Sequence, residues 1–475
     1  MRVRTRTVAA VTDGVWAPDR RALTAGLVST ITIMAVESLA VGTILPDVKR
    51  ALGGLGLYGW VFSAFFLGSI VGVVVAGRTT DHRGPGSAYL LGLSLFVTGL
   101  IVAGLAPTML VLVLARVVQG MGSGAVPATA YAAIGRAYPE SLRPRMFAVL
   151  STAWVVPALV GPAFASAVSH AFGWRWVFLG LVPFVVVAGG VALRGLRPLD
   201  VVDGTPGPSR LVQALRVATG AASILAGVTA GNVLLAVPLV VLGAVVSLPA
   251  FLALVPPGTV RAAPGLPAAT LARGVLTFAF FGADAFVPLA ITDARGSSTV
   301  VAGVALTASA LSWTAGSWLQ ERRVNRLGAR RFVVAGHGVL VLGIGLASLV
   351  LVDAVPLAVI VVAWTVAGFG IGLAYAPISL TVLREAPPGE EGAATAGMQL
   401  TDLLGVSLGT GLGGAAVALG DALDWTPRTG IAIAWALAGA VGIAGMAVGR
   451  RLPTGSGEVE ERPRVASEDG FLTTG

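Results

Sequence analysis

The sequence predicts an all-α integral membrane protein, and its composition is the first observation behind this prediction. Of the 475 residues, 55% are hydrophobic and only 12% are charged, whereas soluble domains contain about 25% charged residues. The second observation is a series of long apolar segments, and the third is the uneven placement of basic residues between them. Together they predict fourteen transmembrane helices with both termini in the cytoplasm.

A helix that crosses the hydrocarbon core of a bilayer needs about 20 apolar residues. Fourteen segments of the sequence have this character. The seventh begins after Arg210 and contains Arg216, so it could start as a helix at the membrane interface. The predicted spans are 22–46, 57–78, 88–106, 108–137, 146–170, 175–195, 211–230, 232–254, 269–291, 299–319, 331–352, 355–384, 392–419 and 429–449.

The placement of arginine and lysine predicts an even number of spans, because basic residues concentrate in cytoplasmic loops. With both termini inside, five basic residues lie outside, Arg116 lies in the membrane, and all others lie on the cytoplasmic side. Removing one helix would destroy this asymmetry, whereas removing the seventh and eighth together would preserve it. Hydropathy alone therefore favours fourteen spans over twelve. The outside residues are Lys49, Arg50, Arg175, Arg295 and Arg428.

Several classes of function are excluded by residue content. The chain has no cysteine and three histidines far apart in sequence, so we expect no metal site. A nucleotide-binding loop needs a lysine within GxxxxGK[ST], and the one lysine, Lys49, lies in no such motif. We therefore expect no ATP-driven transport by this chain, no cofactor and no enzyme activity. The net charge of +9 reports membrane topology rather than binding to nucleic acid.

Arg116 stands out because it lies inside a long apolar run. An arginine at membrane depth costs about 2.5–3.5 kcal/mol on insertion scales, so its side chain must face protein, water or a counter-ion. Gly120, Gly122 and Gly124 follow, and small residues let a neighbouring backbone approach closely. The segment therefore predicts an interior-facing helix with a functional cation. The alternative is an arginine paired with a carboxylate for packing only.

An internal repeat relates the two ends of the chain. The triplet Gly120–Gly124 recurs as Gly368–Gly372, and Glu37 corresponds to Asp284 at nearly the same offset. These correspondences predict two pseudo-symmetric six-helix bundles with two helices inserted between them, an arrangement typical of transporters. The predicted divisions are a cytoplasmic tail 1–21, an N-terminal bundle 22–197, a linker with two helices 198–265, a C-terminal bundle 266–451 and a cytoplasmic tail 452–475.

Three motifs resemble those of the major facilitator superfamily, in particular its 14-helix drug:proton antiporters. The loop after the second helix has the signature glycine, aspartate and second glycine, although His82 replaces the usual arginine. The fourth helix matches a second motif, and the fifth helix partly matches the antiporter motif. The matching residues are Gly77, Asp81 and Gly84, then Arg116, Gln119 and Gly120, and finally Pro157, Gly161 and Pro162.

This resemblance implies the major facilitator fold and a secondary active transporter that works by alternating access. It implies a conformational latch at the cytoplasmic end of the second helix, formed by Gly77, Asp81, Arg83 and Gly84. It also implies a hinge in the fifth helix at Pro157, Gly161 and Pro162. We expect a monomer in the plasma membrane that handles small molecules and protons.

Proton coupling is predicted at the ionisable side chains within the apolar segments. Burial favours the neutral form of a carboxylate, and a nearby cation favours the charged form. A carboxylate that meets Arg116 in only one conformation would therefore bind and release a proton. Glu37 and Asp284 are the first candidates, and Asp402 is the third. Each could instead be structural: Glu37 as a permanent partner of Arg116, Asp284 as a hydrogen-bond acceptor near Pro288, and Asp402 as a helix contact.

The predicted substrates are hydrophobic or amphiphilic compounds that are exported in exchange for protons. The alternative is a facilitator or symporter of another metabolite or lipid in the same fold, which would favour several polar side chains in the cavity. The sequence has only Asn232 and Asn325 as asparagines, both at helix ends. Candidate cavity residues are Phe65, Gln119, Trp154, Phe281, Trp313, Tyr375 and Gln399.

Overall fold

The computed structural model describes most of the chain between residues 14 and 454. The predicted cavity residue Trp154, nearly all of the two terminal tails, and much of the linker before the seventh span lie outside the described residues. The described ranges are 14–139, 142–153, 155–197, 199, 210–230, 232–387, 390–423 and 425–454.

Every element of secondary structure within these ranges is helical. This is the expected solution for a chain in lipid, because a helix satisfies its backbone hydrogen bonds within one segment. The helices are α1 (Arg21–Leu52), α2 (Tyr58–Gly104), α3 (Met109–Ala137), α4 (Arg143–Thr152), α5 (Val155–Phe172), α6 (Arg175–Leu179), α7 (Val182–Leu196), α8 (Leu211–Thr229), α9 (Val233–Leu252), α10 (Leu266–Asp284), α11 (Val287–Leu289), α12 (Thr299–Leu327), α13 (Ala329–Ser348), α14 (Ala358–Glu385), α15 (Glu391–Ala422) and α16 (Pro427–Gly449).

Within the described residues, twelve helical segments are long and apolar enough to cross a membrane. One of them, Leu55–Gly104, has 50 residues and contains α2. The backbone of α2 leaves the helical conformation at Gly84, with φ 80° and ψ 164°, and this divides α2 into two arms. The predicted count of fourteen spans is not confirmed by these segments and stays a prediction.

The two arms of α2 run in opposite directions along α3. Later residues of the first arm contact later residues of α3. Later residues of the second arm contact earlier residues of α3. Gly84 thus reverses the chain, and its positive φ is a conformation that glycine adopts without a steric penalty. The pairs in close contact are Gly68 with Val117, Gly72 with Met121, Gly92 with Ala125 and Gly99 with Gln119.

The same construction recurs in the second half of the chain and supports the predicted pseudo-symmetry. Gly328 separates α12 from α13 with φ 80° and ψ 147°, much as Gly84 separates the arms of α2. A Cβ atom added to Gly120 would lie 1.9 Å from the carbonyl oxygen of Phe65, and one added to Gly368 would lie 2.2 Å from that of Ser309. The two glycine triplets therefore bring α3 and α14 against their neighbours in the same way.

The inserted helices α8 and α9 form a hairpin beside the two halves, which we define as α1–α7 and α10–α16. Gly220 and Gly243 bring α8 and α9 together, since a Cβ on Gly220 would lie 2.6 Å from the Gly243 carbonyl oxygen. Leu225 of α8 is fully buried and packs with Leu67 of α2 and Leu400 of α15. The hairpin therefore covers the junction between the halves.

Candidate functional site

Arg116, the predicted interior cation, is buried and forms an ion pair. Arg116 is only 2% exposed, and its Nη1 atom lies 2.5 Å from Oε1 of Glu37, which is fully buried. The same nitrogen donates to Oε1 of Gln119 at 2.6 Å, and Nε donates to the carbonyl oxygen of Val61 at 3.2 Å. The guanidinium carbon lies 4.1 Å from the centre of the Phe65 ring. The first half thus holds one charge pair inside a polar and aromatic shell.

This pair is not saturated with hydrogen bonds. Among the described residues, neither Oε2 of Glu37 nor Nε2 of Gln119 has a hydrogen-bond partner, although both atoms are buried. A buried polar atom without a partner is costly, so such atoms need an explanation. One carboxylate oxygen of Glu37 is therefore free to carry a proton without first breaking another contact.

Asp284 occupies a different environment from Glu37, although the repeat relates them. It is half-buried at the end of α10, and its Oδ1 atom accepts a hydrogen bond of 2.7 Å from the indole nitrogen of Trp364. Within the described part of the chain, no basic side chain lies within 4.0 Å of it. Its partner is therefore an indole rather than a kinked backbone near Pro288, and its predicted role in coupling stays a prediction.

Asp402 lies beside Tyr375 and near a cation that the sequence analysis missed. The hydroxyl of Tyr375 donates to Oδ2 of Asp402 at 3.1 Å, and the guanidinium carbon of Arg273 lies 3.4 Å from the centre of the Tyr375 ring. Arg273 is 2% exposed, so it is buried within the bundle, and it was not among the predicted site residues. The predicted span 269–291 already contained Arg273, and that was the available signal.

A row of aromatic side chains connects the surroundings of Asp284 with those of Asp402. Phe280 is stacked on Trp364 with ring centres 5.8 Å apart and meets Trp313 edge-on at 5.5 Å. Trp313 in turn lies 5.4 Å from Tyr375. Phe281 joins the row beside Phe280 at 5.1 Å. Three predicted cavity residues, Phe281, Trp313 and Tyr375, are thus brought together in the second half.

The remaining predicted cavity residues are distributed elsewhere. Phe65 and Gln119 surround Arg116 in the first half, so they are not part of the aromatic row. Gln399 is partly buried in α15, three residues before Asp402. The first half therefore holds a closed ion pair, and the second half holds aromatic rings and two carboxyl groups.

Comparison with known proteins identifies the class of this molecule. The sequence profile of the Major Facilitator Superfamily matches residues 25–410. This chain belongs to the Major Facilitator Superfamily. Its members are transporters, and the helical architecture described above is a multi-pass membrane fold of that superfamily.

Relatives and solved structures agree with this assignment. A protein of Mycobacterium tuberculosis named "Probable multidrug-efflux transporter" is 28% identical over 435 residues, which cover 88% of this chain and 92% of the relative. The POT family transporter PepTSo superposes with a TM-score of 0.66 at 15% identity, covering 90% of this chain and 96% of that one. A D-xylose–proton symporter gives 0.65 at 12% identity, covering 91% and 98%. At these identities the two structures show the major facilitator fold alone.

The two halves of this major facilitator protein touch through several polar contacts at the end that holds Lys49. Lys49 and Asp293 form an ion pair of 2.5 Å between α1 and the turn that follows α11. His170 of α5 and Thr299 of α12 lie 3.0 Å apart, and Ser63 of α2 donates to the carbonyl oxygen of Ser407 at 2.8 Å. These contacts close that end of the bundle.

The predicted latch lies at the opposite end, where α2 turns. Gly77, Asp81 and Arg83 are exposed, and Gly84 provides the turn described above. Within the described residues, neither Asp81 nor Arg83 takes part in an ion pair of 4.0 Å or less. The latch therefore stays a prediction, and this conformation holds Asp81 unpaired.

The predicted hinge lies in α5, which continues as a helix through Pro162. Pro157 is buried, and a Cβ on Gly161 would meet Leu39 of α1 at 3.7 Å. The carbonyl oxygen of Pro162 lies against Gly303 of α12 in the other half. The hinge residues thus lie where the two halves meet, and their bending stays a prediction.

Proposed function

We propose that this chain is a proton-coupled exporter of hydrophobic or amphiphilic small molecules that works by alternating access. It would act as a monomer in the plasma membrane, without ATP or a cofactor. The observation that carries the proposal is the buried ion pair between Glu37 and Arg116. Two opposite charges in a low-dielectric interior are stable only while they remain paired, so a change of partner couples conformation to protonation.

The coupling mechanism follows from the contacts of that pair. When Glu37 takes up a proton it becomes neutral, and its attraction to Arg116 falls. Arg116 keeps Gln119 and the Val61 carbonyl oxygen as acceptors, so its charge stays solvated after the pair separates. When the proton leaves again, the ion pair reforms. Rocking of the halves would thus expose Glu37 to one side of the membrane while it is neutral and to the other while it is charged.

The positive-inside rule supports an orientation for this conformation. The end that holds Asp81 also carries the exposed side chains of Arg78, Arg83, Arg322 and Arg323. We therefore assign this end and both termini to the cytoplasm. The closed end with Lys49 would then face outside.

The aromatic row supports the class of substrate. Trp313 and Phe281 are half-buried, so they can contact a molecule between the halves, and two carboxyl groups lie at the ends of the row. Aromatic faces and unpaired carboxylates both attract organic cations. We therefore expect lipophilic cations among the substrates of this exporter.

Transport into proteoliposomes with an imposed pH gradient tests the proposal. With the membrane potential clamped, tetraphenylphosphonium should accumulate in vesicles whose interior is acidic, because antiport moves it against the proton flow. Glu37→Gln and Asp284→Asn should each abolish this gradient-driven accumulation in protein that still folds, although Glu37→Gln should lower its stability because Arg116 loses its counter-ion. Glu321→Gln is the matched control, because Glu321 is exposed on α12. Accumulation in alkaline vesicles instead would indicate symport, and full gradient dependence in both variants would remove the coupling assignment.

A further inference from the structure

Arg273 is a buried cation that the mechanism above does not use. Its side chain is 2% exposed, and no carboxylate of the described residues lies within 4.0 Å of it. One terminal nitrogen, Nη2, donates to the hydroxyl of Ser379 and lies 3.8 Å from the sulfur of Met398. The Nε and Nη1 atoms are buried without a partner in the described part of the chain.

A buried cation without a counter-ion lowers the stability of the folded protein. Removing one member of a buried ion pair typically destabilises a protein by about 3–5 kcal/mol, because the remaining charge is uncompensated. A stacked ring recovers part of this cost, since a desolvated cation over an aromatic face gains about 2 kcal/mol. The ring of Tyr375 provides this stacking. The two nitrogens of Arg273 without a partner among the described residues, Nε and Nη1, still call for an acceptor.

Asp402 is a suitable acceptor, because it contacts the same tyrosine at its hydroxyl group. Its Oδ2 atom accepts from the Tyr375 hydroxyl, and its Oδ1 atom is buried with no hydrogen-bond partner among the described residues. Arg273 on α10 therefore lacks acceptors, Asp402 on α15 lacks a donor at Oδ1, and both side chains contact Tyr375 on α14. The two helices are already in close contact, since a Cβ on Gly405 would lie 2.1 Å from the Gly274 carbonyl oxygen.

We infer that Arg273 and Asp402 form a second proton-binding unit, in which both side chains contact Tyr375 in this conformation and the direct ion pair forms in the alternative one. This inference rests on the proposed function. Pairing and protonation exclude each other at Asp402, because only the carboxylate attracts the guanidinium. Closing Arg273 onto Asp402 would therefore release one proton to water, and separating them would bind one.

Few charged or titratable groups face Asp402, so Arg273 should be the main influence on whether Asp402 binds a proton. Among the described residues, Arg273 of α10 and Tyr375 of α14 are the charged and titratable groups that act on it, and Thr277 of α10 donates to its backbone oxygen at 3.1 Å. Tyr131 of α3 faces Tyr375 from the other half. The unit shares no residue with the Glu37–Arg116 pair, so the second half would carry Asp402 as a proton-binding carboxyl group in addition to Asp284.

Carbodiimide modification tests the inference directly, because the reagent attacks carboxyl groups in their protonated form. The full chain in proteoliposomes is treated with dicyclohexylcarbodiimide at pH 7, and modification of Asp402 and Glu37 is measured separately by peptide mass spectrometry. Arg273→Gln should raise the rate of modification at Asp402 about tenfold. Loss of a nearby opposite charge should increase the protonated fraction of this carboxyl group by about that factor. The rate at Glu37 should not change.

Two further variants separate a proton-binding role from a structural one. Arg273→Lys keeps the charge and should hold Asp402 modification near the wild-type rate. Arg322→Gln removes an exposed arginine of α12 and should change neither rate. Equal Asp402 modification in wild type and Arg273→Gln would overturn the inference, as would a parallel rise at both carboxyl groups, which indicates general opening. Failure of the Glu37→Gln transport test would overturn the proposed function and leave the modification result standing.

Discussion

The Nζ atom of Lys49 lies 2.5 Å from Oδ2 of Asp293, and this ion pair ties α1 of the first half to the π-helical turn Ala290–Ala294 of the second. Both side chains are mostly shielded, with 25% and 15% of their surface exposed. Lys49 is also the one lysine in the chain. The pair therefore joins the two halves at the closed end, where separation would have to begin.

Breaking this ion pair should shift the protein towards the state that is open at the Lys49 end. A conformational switch is typically biased by about 1–3 kcal/mol, which corresponds to a change of about fivefold or more in the ratio of states. Ser63→Cys provides a reporter, because Ser63 is fully buried between α2 and α15 and the chain has no other cysteine. Asp293→Asn should raise the rate of maleimide labelling at position 63.

Arg50→Ala is the matched control for that experiment. Arg50 pairs with Asp47 within the same helix, so its removal leaves the contact between the halves in place. Labelling in this variant should equal that of the reporter alone. If Asp293→Asn labelled no faster than Arg50→Ala, the ion pair would not hold this end closed.

The glycines of α3 should tolerate substitution according to their contacts. A Cβ on Gly120 would lie 1.9 Å from the Phe65 carbonyl oxygen, and backbone cannot move as a flexible side chain can. Gly120→Ala should therefore lower the thermal unfolding temperature, at a cost of about 1–3 kcal/mol typical of overpacking. Gly135 lies in the same helix with nothing within 4 Å of such an atom. Gly135→Ala should be neutral or stabilising by up to about 1 kcal/mol, and equal losses in both variants would contradict this packing.

Sequence reasoning predicted the helical membrane fold and its repeat because both depend on local patterns. Apolar length, glycine spacing and the turn glycines are readable along the chain, and Gly84 and Gly328 adopt the matching backbone conformations. The partner of Arg116 could also be proposed from the sequence, because Glu37 is one of very few carboxylates in the apolar segments. These predictions needed only the cost of charge in lipid.

The contacts between helices were harder to predict. Arg273 lies near the start of a span, where an arginine is usually at the membrane surface, and only the packing of α10 against α14 and α15 buries it. The Lys49–Asp293 pair joins residues 244 positions apart, and no local signal relates them. The different partners of Glu37 and Asp284 show that a repeat predicts position in the fold but not chemistry.

The Glu37–Arg116 pair predicts a distinct pattern of stability in variants. Arg116→Gln leaves Glu37 buried without a cation, and removing one partner of a buried pair costs about 3–5 kcal/mol. The double variant Glu37→Gln/Arg116→Gln removes both charges and should recover much of that loss, because neutral amides can bond to each other. Thermal unfolding in detergent measures both. A double variant as unstable as the sum of the single variants would mean that the two side chains do not interact in solution.

The aromatic row predicts where a lipophilic cation binds. Trp313 is half-buried between Phe280 and Tyr375, so Trp313→Ala removes the central ring and should weaken tetraphenylphosphonium binding about tenfold. That factor corresponds to about 1.4 kcal/mol, within the range of a single cation–π contact. Trp318 lies on the same helix but is 62% exposed, and Trp318→Ala should leave binding unchanged. Calorimetry on the purified full chain measures both affinities, and equal weakening in the two variants would remove the aromatic row from the binding site.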